Sequence, residues 1–383
     1  MAQTYGLTGL RPIPAVVAQV ASPPYDVIKE GSPLEALLQR NQKSLYHVIL
    51  GEKPRAALDR LVSEGWMIQD NEPCYYVYEQ TWDGQSRTGV LAAGAVTDYS
   101  EKQIIRHEKT FDDKVKGRIA LKRAIGHYIG PVFLITRSPI GPILESCKSE
   151  KPLYDFTTDL HSLNDLHGIH NRLWRVPEAS AQGRKIQAAL AKQPLYIADG
   201  HHRYHAALLG KMPRFVGYVT DSAQITAYNR VVNGTRKFAE IASRLPLQPI
   251  EHFQTPPHGS FCLYSRGKAY LLPTRNQTQD VVERLDCFKL EKELYPMLGL
   301  EHSMIKDPKR FDYYPEWALD DMRRVVDQGE YDLAIALHPV SIEELVAVAN
   351  AGLENPDVVM PEKSTFFAPK VLSGLFLERL VTP

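Results

Sequence analysis

The stretch PLYIADGHHRYHAALL, Pro194–Leu209, decides how the chain is read. Leu195, Tyr196, Ile197 and Ala198 make an apolar run of strand length. Asp199 and Gly200 break it, and from His201 a helical pattern starts, with Tyr204, Ala207 and Leu208 at spacings of three and four. Asp199 has N-cap chemistry, and the N–H groups of a helix start favour an anion. Within five residues this turn holds one carboxylate, two imidazoles and a guanidinium. Such groups are rarely buried unless paired or used. A strand-to-helix turn of this kind is a candidate phosphate site and a candidate catalytic one.

The flanking chain extends the pattern. Leu173–Val176 reads as a strand, Glu178–Lys192 as an amphipathic helix and Arg214–Thr220 as a strand, so residues 173–220 form an α/β unit. Further upstream, residues 33–45 and Pro54–Ile68 read as helices and Tyr46–Leu50 as a strand. Cys74–Gln80 and Arg87–Val96 read as paired strands around the hairpin signal Trp82-Asp83-Gly84-Gln85. Lys116–Tyr128 resembles a basic helix and Gly130–Thr136 a buried strand, with 138–172 less regular. Downstream, Ser260–Tyr264 and Lys268–Leu272 form a hairpin. Asp286–Leu298, Pro315–Gln328 and Ile342–Ala351 read as helices and Tyr331–Leu337 as a strand. A soft boundary near 240 follows the Asn233-Gly234 turn, dividing the chain into 1–240 and an α/β region 241–383. The fold class is α/β, mixed α+β.

At 383 residues two domains are expected. Lys+Arg and Asp+Glu both number 45, so bulk attraction to nucleic acid or an anionic membrane is not expected. Cys74, Cys147, Cys262 and Cys287 stand far apart, which argues against a disulfide framework or a cysteine zinc site and fits a reducing cytoplasm. The start of the chain has no signal-peptide pattern, and no apolar run nears the roughly 20 residues of a membrane span.

Two other polar concentrations stand out. Arg106, His107, Glu108, Lys109 and Thr110 follow Ile104-Ile105, and a Glu beside a His and a Lys supplies a base and an anion clamp. In the tail, Met360-Pro-Glu-Lys-Ser-Thr365 offers Lys363, Ser364 and Thr365 to a phosphate. Near the start, the prolines up to Ser22-Pro-Pro-Tyr-Asp-Val27 describe either a rigid strand and loop or a preorganised loop presenting Tyr25 and Asp26. The polar turns also fit a plainer reading, as structural networks between layers.

The chain lacks G-x-x-x-x-G-K-[ST], G-x-G-x-x-G and G-x-S-x-G, so a P-loop enzyme, a Rossmann oxidoreductase and an α/β-hydrolase lose support. His201 and His205, at i and i+4, share a helical face suited to Zn²⁺, and with His202 they raise the alternative of a metal-dependent phosphatase. The Arg203 between them fits an anion better than a cation. His161, His167 and His170 lack partner carboxylates at a recognised spacing, and no metal ligands are assigned.

Ala198-Asp-Gly-His-His-Arg-Tyr204 resembles the signature of a bacterial and archaeal family known as domain of unknown function ten-fifteen. Pro23–Ile28, Arg106–Thr110 and Met360–Phe366 resemble the same family's motifs in the same order. Members commonly carry Glu where His205 stands. The family is similar to the ParB/sulfiredoxin superfamily, in which a Gly-x-x-Arg turn, here Gly200–Arg203, binds nucleotide phosphate. Free-serine kinases belong to that superfamily.

The resemblance therefore implies a ParB/sulfiredoxin-like core with added N- and C-terminal α/β segments. It also implies a nucleotide-dependent phosphotransferase acting on serine or phosphoserine, using ADP or ATP. Mg²⁺ would be the ion a nucleotide brings, without dedicated ligands. In this reading Gly200, Arg203, Arg106, His107, Lys109, Lys363, Ser364 and Thr365 hold phosphates. His201 and His202 contact the phosphoryl group or shuttle its proton, and Asp199 either orients a histidine or acts as base. Glu108 is the rival base, and Tyr25, Asp26 and Tyr204 face the substrate. The partners are then a small molecule and a nucleotide, without nucleic acid or membrane. A non-catalytic, DNA-associated ParB-like protein is the main rival, although no helix-turn-helix or basic surface is evident.

Overall fold

The structure is a computed structural model that describes residues 2–110, 112–158, 168–274 and 278–380, with the side chains of 112–114 left aside. His161 and His167 lie outside the described residues. The chain forms two units, Met1–Ala223 with Ala368–Pro383, and Gln224–Phe367. They divide at 223/224 rather than at the soft boundary near 240, because the strand Tyr228–Val232 pairs with Phe311–Pro315 and Leu333–Leu337 of the second unit. The tail from Ala368 returns to the first unit.

The first unit is built on a mixed nine-stranded sheet. Its spine is the hairpin Cys74–Trp82 and Gln85–Ala95, closed by Asp83 and Gly84, both at positive φ as a tight primed turn requires. Tyr75, Tyr76 and Tyr78 of this hairpin are fully buried. On one side Ile169–Pro177 and Tyr154–Thr158 continue the sheet antiparallel. On the other, Arg214–Thr220 pairs antiparallel with Gln85–Ala95 and parallel with Val132–Thr136. Leu195–Asp199 comes next, antiparallel to Val132–Thr136 and parallel to the short edge strand Ile104–Ile105.

A smaller sheet joins Met67–Gln69, Gly9–Pro12, Leu377–Arg379 and His127–Tyr128 in that order. It packs with the helices Tyr46–Ile49, Pro54–Ser63 and Asp112–Ile125 around a core that includes Val20, Leu45, Val48, Leu58, Leu61 and Ile125. The returning tail is pinned there. Ser22 and Ser373 exchange backbone bonds of 3.0 and 2.8 Å. The buried Arg87 donates to the carbonyls of Ala368 and Pro369 and to the Gln80 side chain.

The second unit is a six-stranded antiparallel sheet in the order Gln248–Ile250, Lys268–Pro273, Ser260–Ser265, Leu333–Leu337, Tyr228–Val232, Phe311–Pro315. The helix Leu319–Asp327 lays Met322, Val325 and Val326 on it.

Several local expectations change. Tyr46–Leu50 is a helical turn, Tyr46–Ile49, not a strand. Leu45, Val48 and Ile49 are buried at helical spacing, a period that five residues are too few to reveal, and Ser44 Oγ accepts from the Tyr46 amide. The basic helix runs Asp112–Ile125 and ends at Gly126, whose φ is +69°, so His127–Tyr128 joins the smaller sheet. The irregular stretch 138–172 contains the helix Gly141–Ser146 and the strand Tyr154–Thr158. Asp286–Leu298 holds one α turn, Asp286–Lys289, that widens into a π-helical Leu290–Leu294.

Glu378, buried in the smaller sheet, yields a pH prediction. Burial pushes its carboxyl up to about 7, against the pull of Arg214 and a Thr8 backbone hydrogen bond. The folded value lies above the unfolded value of about 4.3, so the native state holds the extra proton between these pH values. Its contribution is therefore fully present below about 4.3 and is lost as pH rises to about 7. Glu378→Gln should match the parent near pH 4 and exceed it by about 1–3 kcal/mol at pH 8. Urea denaturation across that range tests this, and parallel stability–pH curves for the two proteins would refute it.

Candidate functional site

Register brings two of the polar runs together. Ile104 and Ile105 lie beside Leu195 and Tyr196 in a parallel pair, extended by the Leu195 amide donating to Gln103 O at 2.9 Å. Parallel strands end on the same edge, so Arg106–Thr110 and Asp199–Arg203 emerge side by side, where open α/β sheets commonly hold ligands.

The turn itself is made by Gly200, whose φ of 95° and ψ of 29° are left-handed. Its carbonyl accepts from the amides of Arg203 and Tyr204 at 2.9 and 3.0 Å, and the helix His201–Leu209 begins. Asp199 is not the N-cap expected from sequence. That position belongs to Gly200, which has no side chain to cap with. The Asp199 carboxylate instead turns to two cations. Oδ2 accepts from Lys370 Nζ at 3.1 Å and lies 3.4 Å from Arg203 Nη2. Arg203, 5% exposed, also donates through Nη1 to the Pro131 carbonyl. Burial disfavours the Asp199 anion, but Lys370 and Arg203 outweigh it and hold the carboxyl well below the ordinary range. Arg203 stays charged because Asp199, Asp26 and Tyr25 overcome its burial.

Beside this ionic group sits a second one. His201 Nδ1 lies 3.4 Å from Glu108 Oε2, and the His107 and His201 rings meet edge-on at 4.5 Å. The His107 amide approaches His201 Nε2 at 3.5 Å. Burial pushes His107 down to about 4, against an Ile197 backbone hydrogen bond and Asp199. Burial also lowers His201, helped by His107, His202 and Arg106 and opposed by Asp199. Both imidazoles are therefore neutral at pH 7, while the Glu108 side chain keeps 32% of its surface exposed. Single ligand atoms from His107, Glu108 and His201 lie within 4.8 Å of one another, which makes them a candidate metal group among the described residues.

A third wall contains cations not picked out from sequence. A pocket lined by Pro24, Tyr25, Arg118, Lys122, Gly130 and Arg203 opens beside the turn. The Arg118 guanidinium lies 3.9 Å from the Tyr25 ring centre, and the buried Lys122 donates to Arg203 O at 3.0 Å. Burial and the neighbouring Arg203 and Arg118 push Lys122 down to about 7.

The remaining candidates divide. Arg106 covers the Tyr99 ring at 4.7 Å, and Lys109 and Asp26 are exposed. His202 is half-buried on the first turn of the helix. The hydroxyl of the fully buried Tyr204 donates to Thr97 O and accepts from Thr97 N, so its ring packs and its oxygen braces a loop. His205 stacks on Tyr99, with Nδ1 3.4 Å from its hydroxyl, so the i,i+4 clamp of His201 with His205 does not form. The partners of His201 are His107 and Glu108. Lys363, Ser364 and Thr365 belong to the second unit. There Lys363 Nζ lies over the Tyr228 and Tyr313 rings, its carbonyl accepts from Arg230, and Ser364 Oγ donates to Pro361 O. The C-terminal lysine bonded to the turn is Lys370, which sequence reasoning passed over. Its one signal was the Ala-Pro-Lys that follows the tail motif.

These features define an α/β protein with a charged strand–turn–helix site at the carboxyl ends of two parallel strands. Residues 5–288 match DUF1015, a family described as "Protein of unknown function", and the chain belongs to that family. No curated protein matches the sequence. Among solved structures it is similar to free serine kinase in complex with AMP, at 15% identity and a TM-score of 0.39, over 76% of this chain and 91% of that one. It is also similar to a conserved hypothetical protein from Pyrococcus furiosus, at 15% identity and 0.36, over 75% and 95%. A third is SbnI with a C-terminal truncation from Staphylococcus aureus, at 13% and 0.36, over 74% and 85%.

Gly200 leaves no room for a side chain at the turn. A Cβ there would lie 2.8 Å from Arg203 Nε and 2.9 Å from Cζ, on a backbone of positive φ. Gly200→Ala should therefore destabilise the first unit by about 2 kcal/mol or more, from left-handed strain and a displaced buried guanidinium. Chemical denaturation measures this, and a change below about 0.5 kcal/mol would show that the turn does not need glycine.

Proposed function

We propose that this site performs nucleotide-dependent phosphoryl transfer to or from a small hydroxyl substrate, with serine and phosphoserine as the leading pair. The observation that carries the reading is the ionised Asp199 held between Lys370 and Arg203, directly beside the Glu108–His201 pair. Phosphoryl transfer needs positioned cations and a proton acceptor more than covalent chemistry. The choice of serine, and of ADP or ATP as nucleotide, rests on the motif resemblance to the ParB/sulfiredoxin superfamily and its free-serine kinases.

In this reading the roles divide. A carboxyl held as low as that of Asp199 is a poor proton acceptor near neutral pH. Asp199 is therefore a positioning residue that aims Lys370 and Arg203. Proton transfer from the hydroxyl falls to Glu108, with the neutral His201 against it at 3.4 Å. Arg203, engaged with Pro131 and Asp199, builds the turn. Lys370, Arg106, Lys109, His202 and the amides of the helix start provide the phosphate contacts. Tyr25 and Asp26 border the substrate side, and Mg²⁺ enters with the nucleotide.

Incubation of the full chain with serine and ADP or ATP, and in reverse with phosphoserine, tests the reading by phosphoserine or phosphate analysis. Glu108→Gln should lower kcat by about 10²–10⁴-fold with little change in KM for nucleotide. Asp199→Asn should instead weaken nucleotide binding by about tenfold or more, since Lys370 loses its partner. Absence of turnover together with absence of nucleotide binding by calorimetry would overturn the proposal.

A further inference from the structure

The group His107, Glu108 and His201 has features that the phosphotransferase reading does not explain. His107 is buried to 2% exposure, yet its Nδ1 has no hydrogen-bond partner. A buried polar atom without a partner is costly, and such atoms often mark a ligand that is missing from view. His201 is equally enclosed, and a ligand atom from each of the three residues lies within 4.8 Å of the other two. His201 Nδ1 and Glu108 Oε2 stand 3.4 Å apart. Two ligands about 2.05 Å from a tetrahedral ion are separated by about 3.3 Å, so this edge needs almost no adjustment.

We infer that His107, Glu108 and His201 form a binding site for one divalent transition-metal ion of the zinc class. Two imidazoles and one carboxylate select Zn²⁺ and its neighbours over Mg²⁺, which takes oxygen ligands in octahedral array. Three protein ligands leave at least one position open, and the partly exposed Glu108 gives it access to the turn. Two of the ligands are adjacent in sequence, following the strand Ile104–Ile105, and the third opens the helix beyond Leu195–Asp199, so the parallel strand pair fixes their spacing. The ion and the proton between Glu108 and His201 are alternative occupants of the same atoms. The inference rests on this geometry alone and stands or falls without any nucleotide chemistry.

The test uses the full chain, stripped with chelator and titrated with Zn²⁺ by calorimetry in the absence of nucleotide. Co²⁺ absorption serves as a second readout of coordination. About one equivalent of Zn²⁺ should bind with a Kd below about 1 μM. Glu108→Gln and His201→Gln should each weaken binding by at least about tenfold while far-UV dichroism stays native, and His205→Ala should bind like the parent. Binding below about 0.2 equivalents at 50 μM Zn²⁺ would overturn the inference. So would parental affinity in both Glu108→Gln and His201→Gln, or loss of binding in His205→Ala.

Discussion

Two residue pairs, Leu195 beside Ile104 and Tyr196 beside Ile105, set the chemistry of the first unit. The pairing is short but well held. Ile104, Ile105, Leu195 and Tyr196 are all buried, and the Gln103 carbonyl extends the ladder by one bond. Because the two strands run parallel, both polar runs leave at one edge of the sheet. Antiparallel pairing would send them to opposite edges, and a slip of one residue would reverse which side chains face the core. The contacts of His107 and Glu108 with His201 follow from register rather than from any attraction between these groups.

The arrangement depends on burying cations, which is tolerable only where each finds partners. Arg203 has Pro131 O and Asp199, and Lys122 has Arg203 O. Arg87 performs the matching task at the tail, binding the carbonyls of Ala368 and Pro369 just before Lys370. The Gln80 amide holds Lys370 O at 3.2 Å, so the lysine backbone is fixed on the hairpin while its ammonium reaches Asp199. The lysine and the carboxylate it bonds stand 171 positions apart in the sequence.

This explains what could be read from sequence and what could not. The strand, turn and helix around Asp199-Gly200 were legible because apolar run, breaker and helical spacing follow one another within sixteen residues. The hairpin at Asp83-Gly84 was legible for the same reason, since turn chemistry is local. Tyr46–Ile49 was not, because one helical turn is too short to show its period. Lys370, Arg118 and Lys122 were hidden among ordinary surface-type residues, and only tertiary packing gives them buried partners or an aromatic face. His201, His107 and Glu108 were expected in one site, but spacing within one helix also offered His205, and only the pairing of two strands decides which of these His201 meets.

The site separates into two electrostatic halves, and burial sets the division. Around Asp199 the charges persist, because an anion between two cations offsets its own desolvation. Around His107 and His201 burial outweighs the pull of Asp199, and both rings stay neutral even with Glu108 Oε2 3.4 Å from His201. A phosphoryl group carries a charge of about −1.5 to −2, and in the proposed reading its fixed positive partners are those of the first half. Neutral imidazoles are poor anion clamps but suitable partners for a proton or a metal ion. The same turn can therefore hold charge on one side of Gly200 and exchange a small cation on the other, because Asp199 and His201 are separated by a single left-handed residue.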